Sequence, residues 1–365
     1  DPLLERANRD GVDWQELAHS QIDLFRSDMV ALHILPPRNY IGAVEAIPLV
    51  LDSIKDLQRA GTVYKVESDY YFKVRSDEAF GSRSHLSNDE MLEIFSQRGG
   101  DPTRVGKEDP LDALLWLAQR PNEPGWESDL GIGRPGWHIE CSAMSLDLLA
   151  NHVDVHVGGI DLRFPHHENE RAQSNSVIGK EAVDLWVHGE HLLFEGRKMS
   201  KSSGNVVLIE DVIAKGFDPL ALRLCFLENR YRSQMDLTWN SIQAAHETLI
   251  RWRTKMSEWG DTQENSPDQE IADSLSNDLD TPRAILRLRE IEKSELPNRR
   301  ELFLFADQVF GLDLARGVAQ KVLTPQMESL LEQRATARTE KRWADSDQLR
   351  IQLEALGLEI KDTKD

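Results

Sequence analysis

Three residues whose types suit a soft metal fall within one short stretch of this chain: Cys141, His166 and Glu170. Zinc accepts thiolate, imidazole and carboxylate ligands and usually takes four. His166 and Glu170 are four apart on a segment that reads as a helix entered near Pro165, so both project from one face about one turn apart. A metal so held could bind a thiol, and the fourth ligand could be water, a substrate atom or a residue elsewhere. On spacing alone, a buried free cysteine beside an exposed His–Glu pair is the more common arrangement. A zincin site is excluded, because His167-Glu168 would need a histidine where Arg171 stands. Downstream lies Lys198-Met199-Ser200-Lys201-Ser202, followed by Ser203-Gly204. Two lysines among small hydroxyls make a cationic, glycine-flanked loop suited to a polyphosphate, the bland alternative being a solvated basic turn before a helix. No Walker sequence is present. Lysines of this kind can stabilise charge as pyrophosphate departs, a contact whose loss costs about 10²–10³ in rate. Together these residues point to a thiol-bearing substrate activated with ATP. Trp137 could stack on a ligand, although a lone Trp beside Pro135-Gly136 is more often core.

The elements that must position these groups can be read in outline. Residues 12–35 form an amphipathic helix, capped by Asp13 with Glu16 three residues on and ended by Pro36-Pro37. A second helix runs through Ala46, Val50, Ile54 and Leu57 to Gly61. Tyr64–Val74 reads as two short strands turning at Glu67-Ser68-Asp69. Residues 76–133 read as an insertion with a helical piece at Leu111–Gln119. From Gly136 the pattern is α/β: a strand at Trp137–Glu140 ending at Cys141, a helix over Ser142–Ala150, and a strand Val153–Val157 running into Gly158-Gly159. A helix from Pro165 and a strand Leu185–Leu193 follow. Residues 208–255 and 269–312 read as helical, and Thr324–Gly357 as one long helix or a hairpin of two.

At 365 residues two or three domains are expected, and 40% hydrophobic residues suffice for packed cores. No segment has the length and apolarity of a membrane span. Two cysteines, Cys141 and Cys225, exclude a disulfide framework and fit a reducing cytoplasm. A net charge of −20 argues against indiscriminate nucleic-acid binding. It leaves room for a local basic face at Arg334, Arg338, Lys341 and Arg342 beside Trp343.

Three ordered motifs carry a resemblance: Gly136-Trp137-His138-Ile139-Glu140-Cys141-Ser142-Ala143-Met144, Phe164-Pro165-His166-His167-Glu168-Asn169-Glu170, and Lys198–Ser202. Over nearly the whole chain they resemble the class I cysteinyl-tRNA synthetases. The resemblance implies an α/β fold: a class I synthetase Rossmann-type nucleotide-binding domain with an insertion, followed by C-terminal helical domains. It divides the chain into the end of the first catalytic half (1–62), a connective insertion (63–133), the second catalytic half with metal site and lysine loop (134–206), a helical stem-contact region (207–265) and an anticodon-binding-like domain (266–365). It implies Zn2+ on Cys141, His166 and Glu170, Trp137 lining the cysteine pocket, and Gly159, Asp161, His188 and Lys201 at ATP or the adenylate. By the same resemblance Lys198 and Lys201 would be the catalytic lysines, with ATP as substrate together with Mg2+. Val157 departs from the glycine usual there. The family's His-Ile-Gly-His signature, first nucleotide-binding strand and remaining zinc cysteine are expected upstream of Asp1.

The expected reaction is attack of the L-cysteine carboxylate on the ATP α-phosphate, then transfer to tRNA(Cys). Zinc would select the thiol, which a hydrophobic pocket cannot separate well from a hydroxyl. A close relative is the actinobacterial ligase of mycothiol biosynthesis, which joins cysteine to glucosaminyl-inositol. Leu111–Trp116 and Arg120-Pro121-Asn122-Glu123-Pro124 resemble that ligase, whereas Glu170 and the tail Leu331–Lys361 resemble the synthetase. The expectation drawn is tRNA charging, with the small-molecule ligase as the alternative and a non-catalytic binding module on the same fold as a third.

Overall fold

A computed structural model describes residues 2–121, 123–199, 204–260, 267–317 and 325–355. Two helices open the chain, α1 (Pro2–Asp10) and α2 (Trp14–Ala31), the second capped by the Asp13 carboxylate accepting from the amides of Gln15 and Glu16. Ile22 and Phe25 of α2 are exposed; of its apolar positions Leu17 is buried. Helix α3 (Ile47–Arg59) buries Ile47, Val50, Ile54 and Leu57, the stripe its spacing requires.

An antiparallel sheet follows in the order β1 (Val63–Val66), β2 (Asp69–Phe72), β3 (Ala113–Ala118), β4 (Gly133–Pro135). Between β2 and β3 sits α4 (Asn88–Gln97), started by a capping box between Ser87 and Glu90. Two expectations change here. Leu111–Gln119 is not helical but forms β3, since a short apolar run carries no periodicity to separate a buried strand from a helix. The helix α4 lay unrecognised in a stretch whose Gly, Ser and charge read as loop.

Helix α5 (Trp137–Leu148) corrects a third reading, the strand at Trp137–Glu140. Its start is fixed by Gly136, whose missing Cβ would stand 1.9 Å from the Leu114 carbonyl oxygen. Only a glycine lets β4 turn into α5 this close to β3. Gly136→Ala should therefore destabilise the fold by about 1–3 kcal/mol or more through overpacking, read as a lowered urea midpoint.

The site elements come next: β5 (Val153–Gly159), α6 (Glu168–Ile178), which ends at Gly179 in the left-handed region, and β6 (Val183–Gly189), parallel to β5. The expected strand Leu185–Leu193 is thus two, because after Gly189 the chain leaves β6 and pairs again as β7 (Leu192–Phe194) with β8 (Arg197–Lys198) and β9 (Met235–Leu237). The strand β9 interrupts the helical reading of 208–255; around it lie α7 (Ile209–Ala214), α8 (Leu220–Leu227) and α9 (Trp239–Glu258). Then come α10 (Gln269–Ser276), α11 (Thr281–Lys293) and α12 (Arg299–Phe310), and a hairpin of α13 (Pro325–Thr339) with α14 (Trp343–Ala355).

Two large cores result. One gathers α8, α9, α11 and α12 around Trp252, Phe303 and Phe310. The other joins the β1–β4 sheet, α3 and α4 to the site helices, with Phe72, Phe95 and Trp116 packed among Ile139, Ala143, Phe164 and Ala172. Among the described residues no helix is long and apolar enough to cross a membrane.

Candidate active site

Cys141 lies in the second turn of α5, not at a strand end, and faces the start of α6. There the expected triad is brought together: ligand atoms of Cys141, His166 and Glu170 lie within 4.8 Å of one another. His166 and Glu170 are buried and Cys141 half-buried. His166 Nε2 stands 2.7 Å from Glu170 Oε1, yet that oxygen has no hydrogen-bond partner among the described residues. The two atoms sit side by side rather than donor to acceptor, as co-ligands of one ion would. The donor set of thiolate, imidazole and carboxylate fits zinc. Without a metal, burial pushes the Cys141 thiol up to about 12, helped by Glu170 and Glu140. A second set shares Glu170: His156, His167 and Glu170, with His156 Nε2 at 3.3 Å from Glu170 Oε2.

His138 completes the first site from behind, its Nδ1 2.9 Å from His166 Nδ1. That contact occupies one imidazole nitrogen of His166 and leaves Nε2 to point at Cys141 and Glu170. His138 is fully enclosed, and burial, then His166, depresses its pKa well below the ordinary range. Trp137 is not core: it is 42% exposed and stacks on the His166 ring at 4.1 Å between centroids. It makes an apolar wall beside the metal-ligand candidates.

The β5–β6 pair supplies the floor. Alternation puts His156 and Gly158 on one face, opposite Trp186 and His188 in register. His167 lies across this face, 4.7 Å from the His156 ring, 5.0 Å from Trp186 and 4.9 Å from His188, with Nδ1 2.9 Å from His188 Nε2. A Cβ on Gly158 would fall 2.6 Å from the His167 ring, and one on Gly159 would fall 2.4 Å from Asp161 Oδ1. Both glycines therefore serve close approach, and neither has positive φ. Val157 is ordinary strand, paired with Val187, and disturbs nothing in the turn. Burial, then His156, His188 and His166, brings His167 down to about 3, and burial with Arg163, His156 and Arg232 lowers His188.

The lysine motif is separate from this group. Lys198 is exposed on β8, its carbonyl accepting from Asn205 Nδ2 at 3.2 Å, in a sheet distinct from β5–β6. Lys201 lies outside the described residues. In the tail the four-residue basic face does not form as expected. Arg334 is buried, while Arg342 pairs with Glu340 at 2.8 Å and with Asp345; Trp343 is 58% exposed. Missed in the sequence were His138, His156, His167 and Trp186; the alternation His156–Gly158 against Trp186–His188 was the signal available.

The chain belongs to the class I (C) tRNA synthetase family, whose catalytic-domain model matches residues 1–247. Residues 321–365 match the cysteinyl-tRNA ligase anticodon binding domain. Among curated proteins the chain is 48% identical over 287 residues to an L-cysteine:1D-myo-inositol 2-amino-2-deoxy-alpha-D-glucopyranoside ligase of Thermomonospora curvata, covering 78% of this chain and 69% of the relative. Relatives of the same name match in Streptomyces coelicolor (46%; 78% of this chain, 70% of the relative) and Corynebacterium aurimucosum (42%; 91% and 78%). Mycobacterium tuberculosis methionyl-tRNA synthetase with methionyl-adenylate shares the fold: TM-score 0.54 at 16% identity, over 84% of this chain and 79% of that one. The class I synthetase α/β fold with C-terminal helices is thus established, and with it an ATP-using ligase domain. The expectation of tRNA charging is overturned, since these relatives are named as cysteine:amino-sugar ligases. Glu170 and the tail had pulled that reading toward tRNA, and neither reports on the acceptor bound in the catalytic domain.

Proposed function

We propose that this protein activates L-cysteine with ATP and transfers the cysteinyl group to the amine of an inositol-linked 2-amino-2-deoxyglucopyranoside. The observation that carries the reading is the 42–48% identity to ligases of that name over 287 to 337 residues. The carboxylate of cysteine attacks the α-phosphorus of ATP, and pyrophosphate leaves. The sugar amine then attacks the acyl carbon of the adenylate; an amide forms, AMP leaves, and the amine gives up a proton.

Cys141, His166 and Glu170 would hold Zn2+, with Trp137 walling the thiol side. A bound zinc supplies a soft site that prefers a thiolate to a hydroxyl. Gly159, Asp161 and His188 face the adenylate, and Lys198 and Lys201 offset the phosphate charge, with Mg2+ accompanying ATP. The close approach of His167 to Gly158 and of Asp161 to Gly159 supports that placement, because it gathers Asp161 and the His167–His188 pair at the glycine end of β5 and β6. His138 orients His166. His138→Ala should accordingly lower zinc affinity by roughly 10–100-fold while Trp137, Cys141 and Glu170 stay in place. Competition with a chromophoric chelator measures it, and unchanged affinity would remove His138 from this role. The reading as a whole is tested by supplying the amino-sugar-inositol to the full-length protein with cysteine and ATP and looking for the amide product.

A further inference from the structure

We infer that Arg98, at the end of α4 in the segment between β2 and β3, is a positioning residue for the site, holding the turn that delivers His166 and His167. The inference rests on the function proposed above. Arg98 sits sixty-odd positions upstream of the site in sequence, yet its Nη1 donates to the carbonyl oxygens of both Asp161 and Phe164. Those two carbonyls bracket the turn from Gly159 to Pro165. One end of that turn carries Asp161, folded against Gly159. The other end opens directly into His166 and His167.

Arg98 is itself fixed by the local sequence. Its amide bonds back to Ile94 and Phe95, and Gly99, in the left-handed region at φ 85°, turns the chain away. Met91 and Phe95 on the buried face of α4 share a core with Phe164 and Ala172, so the helix and the site segment are packed as one body. Two further contacts join the same pair of segments. The Glu168 carboxylate, fully buried, accepts from the Ser84 amide at 2.9 Å, and Phe80 meets the Phe164 ring edge-on at 6.4 Å. Arg171, one turn after His167, reaches Asp77 and Glu181 at 2.5 and 2.7 Å. These contacts secure α6, and Asn169 Nδ2 donates back to the Pro165 carbonyl at 2.8 Å; the carbonyls of Asp161 and Phe164, within the turn, are reached by Arg98. A guanidinium suits this task, since Nη1 carries two N–H groups and can donate to both carbonyls at once while the planar head holds them in a fixed direction.

The test compares Arg98→Ala, Arg98→Lys and Arg75→Ala in the full-length protein. Arg75 belongs to the same segment, pairing with Asp109 at 2.8 Å and Asn88 at 3.1 Å, and serves as a control for simple destabilisation. The first readout is the imidazole ¹⁵N spectrum of the metal-free protein. Arg98→Ala should shift the resonances of His138, His166, His167 and His188 and leave His19 and His246 in place; Arg75→Ala should shift none of them. The second is cysteine-dependent ATP–pyrophosphate exchange, expected to fall about 10²-fold in Arg98→Ala, as a misplaced reacting group would cause, and to be partly restored in Arg98→Lys. If Arg98→Ala lowers the melting temperature but leaves the imidazole spectrum unchanged, Arg98 is only a structural tie and the inference fails. Should Arg98→Ala not fold, Arg98→Met, which keeps the bulk of the side chain but has no donor, takes its place: an unperturbed imidazole spectrum with full exchange activity in that variant would overturn the inference equally. Absence of exchange by the unsubstituted protein would count against the proposed function alone, because the spectrum still decides the role of Arg98.

Discussion

Replacing Cys141 by serine is expected to remove most zinc binding and with it most cysteine activation. Serine is close to cysteine in size, and the Ser145 hydroxyl donates to the Cys141 backbone carbonyl rather than to its side chain, so the place in α5 is kept. What changes is the donor: a hydroxyl is a far poorer zinc ligand than a thiolate. Losing a ligand should exceed the roughly 10–100-fold that losing an orienting partner costs. In the cysteine protein, metal binding also has to draw a proton from a thiol that burial has pushed up to about 12. Zinc uptake should accordingly release protons and strengthen as pH rises. Metal analysis after dialysis against buffered zinc, with a circular dichroism check on folding, gives the answer. A folded Cys141→Ser protein with full zinc content would assign the metal elsewhere, the His156, His167 and Glu170 set being the first alternative.

Lys201→Ala is the second substitution of large expected effect. The lysine belongs to the Lys198–Ser202 motif, whose composition suits triphosphate, and the negative charge it would offset grows as pyrophosphate leaves. Removing one such contact should slow cysteinyl adenylate formation by about 10²–10³-fold. The effect should fall on the rate at saturating ATP more than on ATP affinity, because the charge to be stabilised is greatest in the transition state. A variant with unimpaired pyrophosphate exchange would take Lys201 out of the reaction.

How far the sequence reveals such a site depends on which physical signal each residue leaves. The triad was legible because three chemically distinctive side chains recur in ordered motifs, and because an i,i+4 pair on a helix is a geometric statement. Helix α3 and strand β5 were legible through periodicity; the tail was legible as helical, with one long helix and a hairpin of two left open. The strand β3 was not, since Ala113–Ala118 is apolar throughout and buried or half-buried on both faces. Helix α5 was misread at its start because Trp137 and Ile139 alternate with polar residues over one turn, too short a window to separate a period of 2 from 3.6. His167 could not be placed without knowing that β5 and β6 pair in parallel register and that Gly158 leaves room for a ring, nor His138 without knowing that α5 packs against the segment carrying His166. Arg98 was least legible of all: its partners are backbone carbonyls, which every residue possesses. The acceptor was legible only faintly, in Leu111–Trp116 and the Arg120–Pro124 stretch.

The central claim is the acceptor, and a single competition assay tests it most directly. Full-length protein is given radiolabelled L-cysteine and ATP together with equimolar inositol-linked 2-amino-2-deoxyglucopyranoside and unacylated tRNA(Cys), and the label is followed into each product. The account predicts label in an acid- and base-stable amide of the amino sugar, with none in the alkali-labile ester of tRNA. Label in tRNA with no amide formed would contradict it.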